Sequence, residues 1–247
     1  MHYKKKRNIL ILGACGSIGT KILEKFLENE KQSNYIACYN SNNKLIYKIK
    51  KKFVTSKIEF IRLNLLNKNN RNFFNYIKKN KIDIFINASG AINRKGFLKE
   101  KISDWNSIME INLNMPMQII KVILGNMIKK NYGKIINFTS QVVKKTHPAA
   151  SPSYEVSKAG MLSLNRHLAK KFAKYNINFN TIMPGTIKSN MQKSMSKKDL
   201  NNIKKEIPQK RLGNPEDVAN LVFFLCSESA SYINGASINI SGASALD

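Results

Sequence analysis

Residues 9–19 read Ile-Leu-Ile-Leu-Gly-Ala-Cys-Gly-Ser-Ile-Gly. Four consecutive apolar residues, Ile9–Leu12, have the look of a strand buried on both faces. The strand runs straight into Gly13, Gly16 and Gly19, and helical spacing follows. That order is the context a dinucleotide-binding turn requires: glycine for the tight turn, close backbone approach, and a helix amino end facing a pyrophosphate. Gly13, Gly16, Ser17, Ile18 and Gly19 are therefore candidate cofactor contacts.

Working outward, six further β-rich runs appear at Tyr35–Tyr39, Ile58–Leu63, Ile82–Asn87, Lys134–Thr139, Ile177–Ile182 and Ser237–Ile240. Helical spacing falls between them, near 18–30, 44–53, 68–80, 103–131, 155–175, 197–206 and 215–227. Ser103 is expected to cap the helix beginning at Asp104 and Trp105. Asn214, followed by Pro215, Glu216 and Asp217, gives a second start signal. Strands alternating with helices predict a Rossmann-type α/β fold: a doubly wound, seven-stranded parallel sheet with helices on both faces. No repeat or linker breaks the 247 residues, so one domain over 1–247 is expected.

The formal net charge of +27 raises the question of a nucleic-acid or anionic-membrane partner. Lysines are spread over nearly every helix and loop, whereas a nucleic-acid footprint is concentrated on one face with aromatic residues interleaved. The charge is read as a solvated surface, with no nucleic-acid and no membrane partner. Cys15, Cys38 and Cys226 lie far apart, which suggests a reducing compartment and no metal site. The apolar run after the basic start is too short for a signal segment. Nor does any stretch reach the apolar length of a membrane span. A cytoplasmic protein is expected.

The chemistry is carried by residues 134–159. A strand ends at Thr139-Ser140, a loop follows, and then Tyr154 and Lys158 stand at i and i+4 on one helix face. A free tyrosine is a poor acid–base group at neutral pH. A neighbouring ammonium and the positive ring of an oxidised cofactor would favour its phenolate. Ser140, at the carboxyl end of a strand, is placed to hydrogen-bond a substrate oxygen.

Together these motifs resemble the short-chain dehydrogenase/reductase family, in the compact branch that includes the 3-oxoacyl-[acyl-carrier-protein] reductases. The resemblance spans nearly the whole chain. It rests on the glycine turn, on Asn87-Ala88-Ser89-Gly90, on Asn112 in Glu-Ile-Asn-Leu, on Ser140 with Tyr154 and Lys158, on Pro184-Gly185 followed by Ile187 and Ser189, and on Arg211 to Ala219. The resemblance implies a hydride transfer between a nicotinamide cofactor and a carbonyl or alcohol. Tyr154 is then the general acid, and Ser140 polarises the oxygen. Lys158 lowers the tyrosine pKa and binds the nicotinamide ribose, and Asn112 supports a proton-relay water. Cofactor contacts are implied at Asn40, Ser41, Asn64, Leu65, Asn87, Ala88, Ser89, Gly90, Tyr154, Lys158, Pro184, Gly185, Ile187 and Ser189. Relatives are dimers or tetramers. Ile108, Ile111, Met115 and Ile119 on one helix, and Met161, Leu164 and Leu168 on another, form the apolar stripes expected to pair.

The chain departs from the family pattern at Ser17 and Leu12, and its Gly-x-x-Gly-x-x-Gly spacing looks more like sugar-nucleotide epimerases and dehydratases. Asn64 stands in place of an adenine-contacting Asp. An NAD enzyme needs an acid about 20 residues beyond the turn. Residues 38–42 read Cys-Tyr-Asn-Ser-Asn and contain none. With no carboxylate to repel a 2′-phosphate, and with Asn40, Ser41 and Lys44 nearby, NADP(H) is expected over NAD(H), although no Arg follows the strand. The substrate stays open between an acyl thioester and a sugar or nucleotide-sugar carbonyl. A non-catalytic nucleotide-sensing or nucleic-acid-binding Rossmann protein would instead have a damaged Ser/Tyr/Lys set. Trp105 is read as packing, His167 as surface, and His147 as a pocket residue without a visible partner. Met183, Met191 and Met195 suit pocket or core equally.

Overall fold

The computed structural model describes residues 6–41, 44–146, 150–189 and 196–246, with the side chains of Lys44 and Lys197 excepted. Seven strands form one sheet: β1 (Asn8–Leu12), β2 (Asn34–Tyr39), β3 (Lys57–Arg62), β4 (Ile84–Asn87), β5 (Gly133–Phe138), β6 (Ile177–Pro184) and β7 (Ser237–Ile240). Their order is β3-β2-β1-β4-β5-β6-β7, and every neighbouring pair is parallel. Parallel pairing demands a crossover after each strand, which the helices supply.

Strand periodicity sends alternate side chains into two separate cores. Ile9 and Ile11 pack with Ile22, Leu23 and Phe26 of α1 (Ser17–Asn29), Ile49 of α2 (Lys44–Lys52) and Val218 and Val222 of α8 (Pro215–Leu225), the helix that follows α7 (Lys197–Glu206). Leu10 and Leu12 pack on the other face with Ile77 of α3 (Arg71–Lys79) and with Ile119, Ile120 and Ile123 of α5 (Met115–Lys130). Both faces of β1 are dry, which explains its unbroken apolar run. Each such buried aliphatic side chain contributes about 1.5–3 kcal/mol.

The segment expected to be one helix over 103–131 is two. α4 (Ile102–Met109) joins α5 through a π-helical turn, Glu110–Asn114. Pro116 explains the break: it carries no N–H for the carbonyl four residues earlier, that of Asn112. Ser103 is not the cap of α4. The helix starts two residues earlier than expected, at Ile102, with Lys101 at the N-cap and its N–H donating to the Asp104 carboxylate at 3.2 Å. The start signal at Asn214 holds: its N–H donates to the Asp217 carboxylate at 2.8 Å, and Pro215 opens α8. Asp217 also pairs with Arg211 at 2.7 Å, giving the Arg211–Ala219 stretch a structural role.

The basic start contains one residue that is not surface. Arg7 is buried, forms an ion pair with Glu30, and donates to the Cys226 carbonyl at 2.9 Å, tying β1 to the ends of α1 and α8. Among the described residues no helix is long and apolar enough to cross a membrane.

Candidate active site

In this sheet the chain crosses to opposite sides after β1 and β4, so a crevice opens beyond their carboxyl ends. A cavity of about 670 Å³ fills that place. Gly13, Gly16, Ser17, Ile18 and Gly19 line it, with Asn40 and Ser41 after β2, Asn64 and Leu65 after β3, and Ala88, Ser89 and Gly90 after β4. Ser140, Tyr154, Lys158, Pro184, Gly185, Ile187 and Ser189 complete the wall. Gly13 has φ +78°, and a Cβ there would lie 2.8 Å from the Ala88 carbonyl oxygen. At Gly19 a Cβ would lie 2.1 Å from the Gly13 carbonyl oxygen. The loop is folded against itself too closely for any side chain at these two positions. Gly16, at the N-cap of α1, provides no side-chain acceptor for the helix.

The catalytic candidates converge from β5 and α6 (Pro152–Phe172). Ser151 caps α6, its Oγ accepting from the Tyr154 N–H at 3.3 Å. The helix thus begins three residues before the expected position, and Tyr154 sits in its first turn. Lys158 is 4% exposed. Its Nζ donates to the Phe138 carbonyl at 3.0 Å and lies 5.7 Å from the centre of the Tyr154 ring. Burial brings the ammonium down to about pKa 8. Burial also pushes Tyr154 above its ordinary value, opposed by a hydrogen bond with Ser140 and by the charge of Arg94. Desolvation is the larger effect on Tyr154, and Ser140 and Arg94 are the groups that oppose it. A tyrosine held protonated is equipped to donate.

Asn112 and Asn87 stand behind the cavity wall rather than in it. In the π-turn, Asn112 grips the Ala91 backbone in both directions: its Oδ1 accepts from Ala91 N–H and its Nδ2 donates to Ala91 O, each at 2.9 Å. The same Nδ2 reaches Ser157 Oγ at 3.0 Å, so it also braces α6 between Tyr154 and Lys158. Buried Asn87 donates to Asn137 at 3.3 Å and accepts from Ser89 at 2.7 Å. It shapes the loop; it does not line the cavity.

The lining includes groups missed from sequence, Arg94 and Gln141 among them. Arg94, in the loop after β4, faces Tyr154. Gln141 follows Ser140 and accepts from Ser244 at 2.7 Å. A third residue, Arg62, stands beside the cavity and donates to the Asn40 carbonyl at 3.1 Å. The expectation that no Arg serves this edge considered only residues following β2. Parallel register pairs Tyr39 with Arg62, which brings the arginine level with the end of β2. No carboxylate occupies Tyr39, Asn40 or Ser41, and Asn64 Oδ1 accepts locally from Leu66 N–H at 3.0 Å. His147, Met191, Met195 and the side chain of Lys44 lie outside the described residues, while Met183 is core.

A family model described as Enoyl-(Acyl carrier protein) reductase matches residues 13–242. The 3-oxoacyl-[acyl-carrier-protein] reductase FabG of Buchnera aphidicola is 32% identical over 240 residues, 96% of each chain. The protein of the same name from Aquifex aeolicus is 38% identical over 161 residues, 65% of this chain and a little under two thirds (64%) of its own length. A crystal structure titled as a 3-oxoacyl-[acyl-carrier protein] reductase from Brucella melitensis superposes with TM-score 0.87 at 22% identity, covering 96% of this chain and 91% of its own, and supports the fold. With cleft, motifs and relatives in agreement, the chain belongs to the short-chain dehydrogenase/reductase family of NAD(P)-dependent oxidoreductases.

Proposed function

We propose that this protein reduces a carbonyl, with a 3-oxoacyl thioester as the substrate class and NADPH as the preferred donor. The observation that carries this reading is the meeting of Ser140, Tyr154 and Lys158 in the same cavity as the glycine turn. The cavity suits a dinucleotide because Gly13 and Gly19 bring backbone where a side chain would block it. Gly90 likewise lies open beside the catalytic lysine, where a Cβ would sit 3.4 Å from Lys158 Nζ. The residues that line the glycine turn, the ends of β2 to β4, and the 184–189 segment would hold the cofactor. Bound there, the nicotinamide supplies the hydride.

The chain's own groups do the rest. Ser140 donates a hydrogen bond to the carbonyl oxygen and fixes its position. Tyr154 gives that oxygen its phenolic proton as the negative charge develops. Lys158 Nζ would hold ribose hydroxyls of the bound cofactor and, charged below about pH 8, stabilises the phenolate that proton donation leaves. Asn112 holds Ala91 and Ser157, and its carbonyl lacks the N–H that Pro116 cannot supply, which leaves an acceptor for a relay water.

Relatives at 32–38% identity carry the 3-oxoacyl reductase name, which favours the thioester. A sugar or nucleotide-sugar carbonyl is the second reading, on the glycine spacing alone. Loss of NADPH absorbance with acetoacetyl thioester, beside crotonyl thioester and sugar carbonyls, decides among them. Reduction of the carbon–carbon double bond of crotonyl thioester, with no reaction of acetoacetyl thioester, would contradict the assignment.

The chain is read as one catalytic unit in a reducing cytoplasm, without a nucleic-acid partner, assembled as a homodimer or homotetramer. Of the stripes first named for that assembly, Ile108, Met115, Ile119 and Met161 are buried in the chain's own core, while Ile111, Leu164 and Leu168 are half-buried. Ile102 on α4, Met117 on α5 and Val156 on α6 are the exposed apolar residues that support it.

A further inference from the structure

β2 and β3 end level at the carboxyl edge of the sheet, with Tyr39 paired to Arg62. From there Arg62 bends across the edge, and its Nε donates to the Asn40 carbonyl at 3.1 Å. The side chain is exposed, and among the described residues no carboxylate pairs with it. Asn40 and Ser41, which it adjoins, line the cavity. In a dinucleotide site of this topology, the end of the second strand is where the adenosine ribose 2′ position is read. Nothing acidic stands there to hold a 2′-hydroxyl.

We propose that Arg62 is the specificity-determining residue that selects a 2′-phosphorylated dinucleotide. The inference rests on the cofactor reading above and names the group that gives it a preference. A guanidinium presents a planar fork that meets a phosphate with two parallel charge-assisted bonds. Here Nε is spent on a peptide carbonyl, and the two terminal nitrogens remain for a ligand. That tether also fixes the fork before binding, so less side-chain freedom is lost on contact. Among the described residues, neither the turn after β2 nor the glycine loop provides a cation, and Gly16 has no side chain. A general positive field from the +27 chain attracts any nucleotide and does not discriminate at one oxygen.

Calorimetric titration of the full chain with NADPH, NADH, adenosine 2′,5′-bisphosphate and adenosine 5′-monophosphate tests this without turnover. Wild type should bind the 2′-phosphorylated member of each pair about ten-fold more tightly. Arg62→Ala should remove that ratio by weakening NADPH about ten-fold while NADH changes less than about two-fold. Arg62→Lys should keep part of it, as a point charge without the fork. Lys79→Ala, an equal charge change on α3 at the opposite edge of the sheet, should leave the ratio intact. A ratio in Arg62→Ala equal to wild type, or equal losses for both cofactors, overturns the proposal. Failure of wild type to bind either dinucleotide overturns the cofactor reading itself and this inference with it.

Discussion

Replacing Lys158 with methionine should make the protein more stable and inactive. The side chain is 4% exposed, and burial takes its pKa from 10.5 to about 8. Each unit is worth about 1.4 kcal/mol, so at pH 7 the fold carries a cost of about 3 kcal/mol for keeping the ammonium charged. Methionine keeps the length and apolar stem but loses the bond to the Phe138 carbonyl, about 1 kcal/mol. The net gain is about 2 kcal/mol at pH 7, or about 4–8 °C in Tm for a chain of this size. The sign with pH follows from the depressed value. Below about pH 8 the lysine is charged in both folded and unfolded chains, and the full cost is present. As pH rises from 8 towards 10.5, the folded state sheds its proton first, and wild type gains stability relative to the variant. By pH 10 less than about 1 kcal/mol of the cost remains, and the two proteins should melt together. Thermal melts of the ligand-free proteins from pH 7 to 10 measure this. A variant less stable than wild type at pH 7, or a gap that does not close with pH, refutes the reasoning.

Gly19→Ala puts a methyl 2.1 Å from the Gly13 carbonyl and forces the turn open. Calorimetry should show at least a ten-fold loss in NADPH affinity, and melting a loss of about 1–3 kcal/mol. Asn40→Asp restores a carboxylate at the end of β2, so kcat/KM measured with each cofactor should turn from about ten-fold in favour of NADPH to favour NADH. Light scattering should find a closed dimer or tetramer, and Val156→Glu, which places a charge on an exposed apolar position of α6, should shift it towards monomer.

The sheet was legible because burial on both faces writes itself as unbroken apolar runs, as at Ile9–Leu12 and Ile84–Ile86. The site was legible where chemistry depends on neighbours in sequence: the glycine turn, and Tyr154 with Lys158 one helical turn apart. What escaped was set by pairing across the sequence. Arg62 reaches Asn40 only through the β2–β3 register, and no local spacing records that. The π-turn escaped because the apolar period survives it, although Pro116 inside a helical pattern was the available signal. The cap at Lys101 escaped because the acceptor is Asp104 rather than the N-cap side chain. The direction of the Tyr154 shift depends on how deeply the site is buried, which a sequence does not state.

The central claim is that Tyr154 is the proton donor for a reduction carried out in this cavity. Tyr154→Phe removes one hydroxyl and keeps the ring, so NADPH affinity should stay within about two-fold of wild type. With acetoacetyl thioester and NADPH at pH 7, kcat should fall by about 10²–10⁴, the worth of a positioned general acid. A variant that oxidises NADPH at the wild-type rate while reducing the thioester would contradict the account.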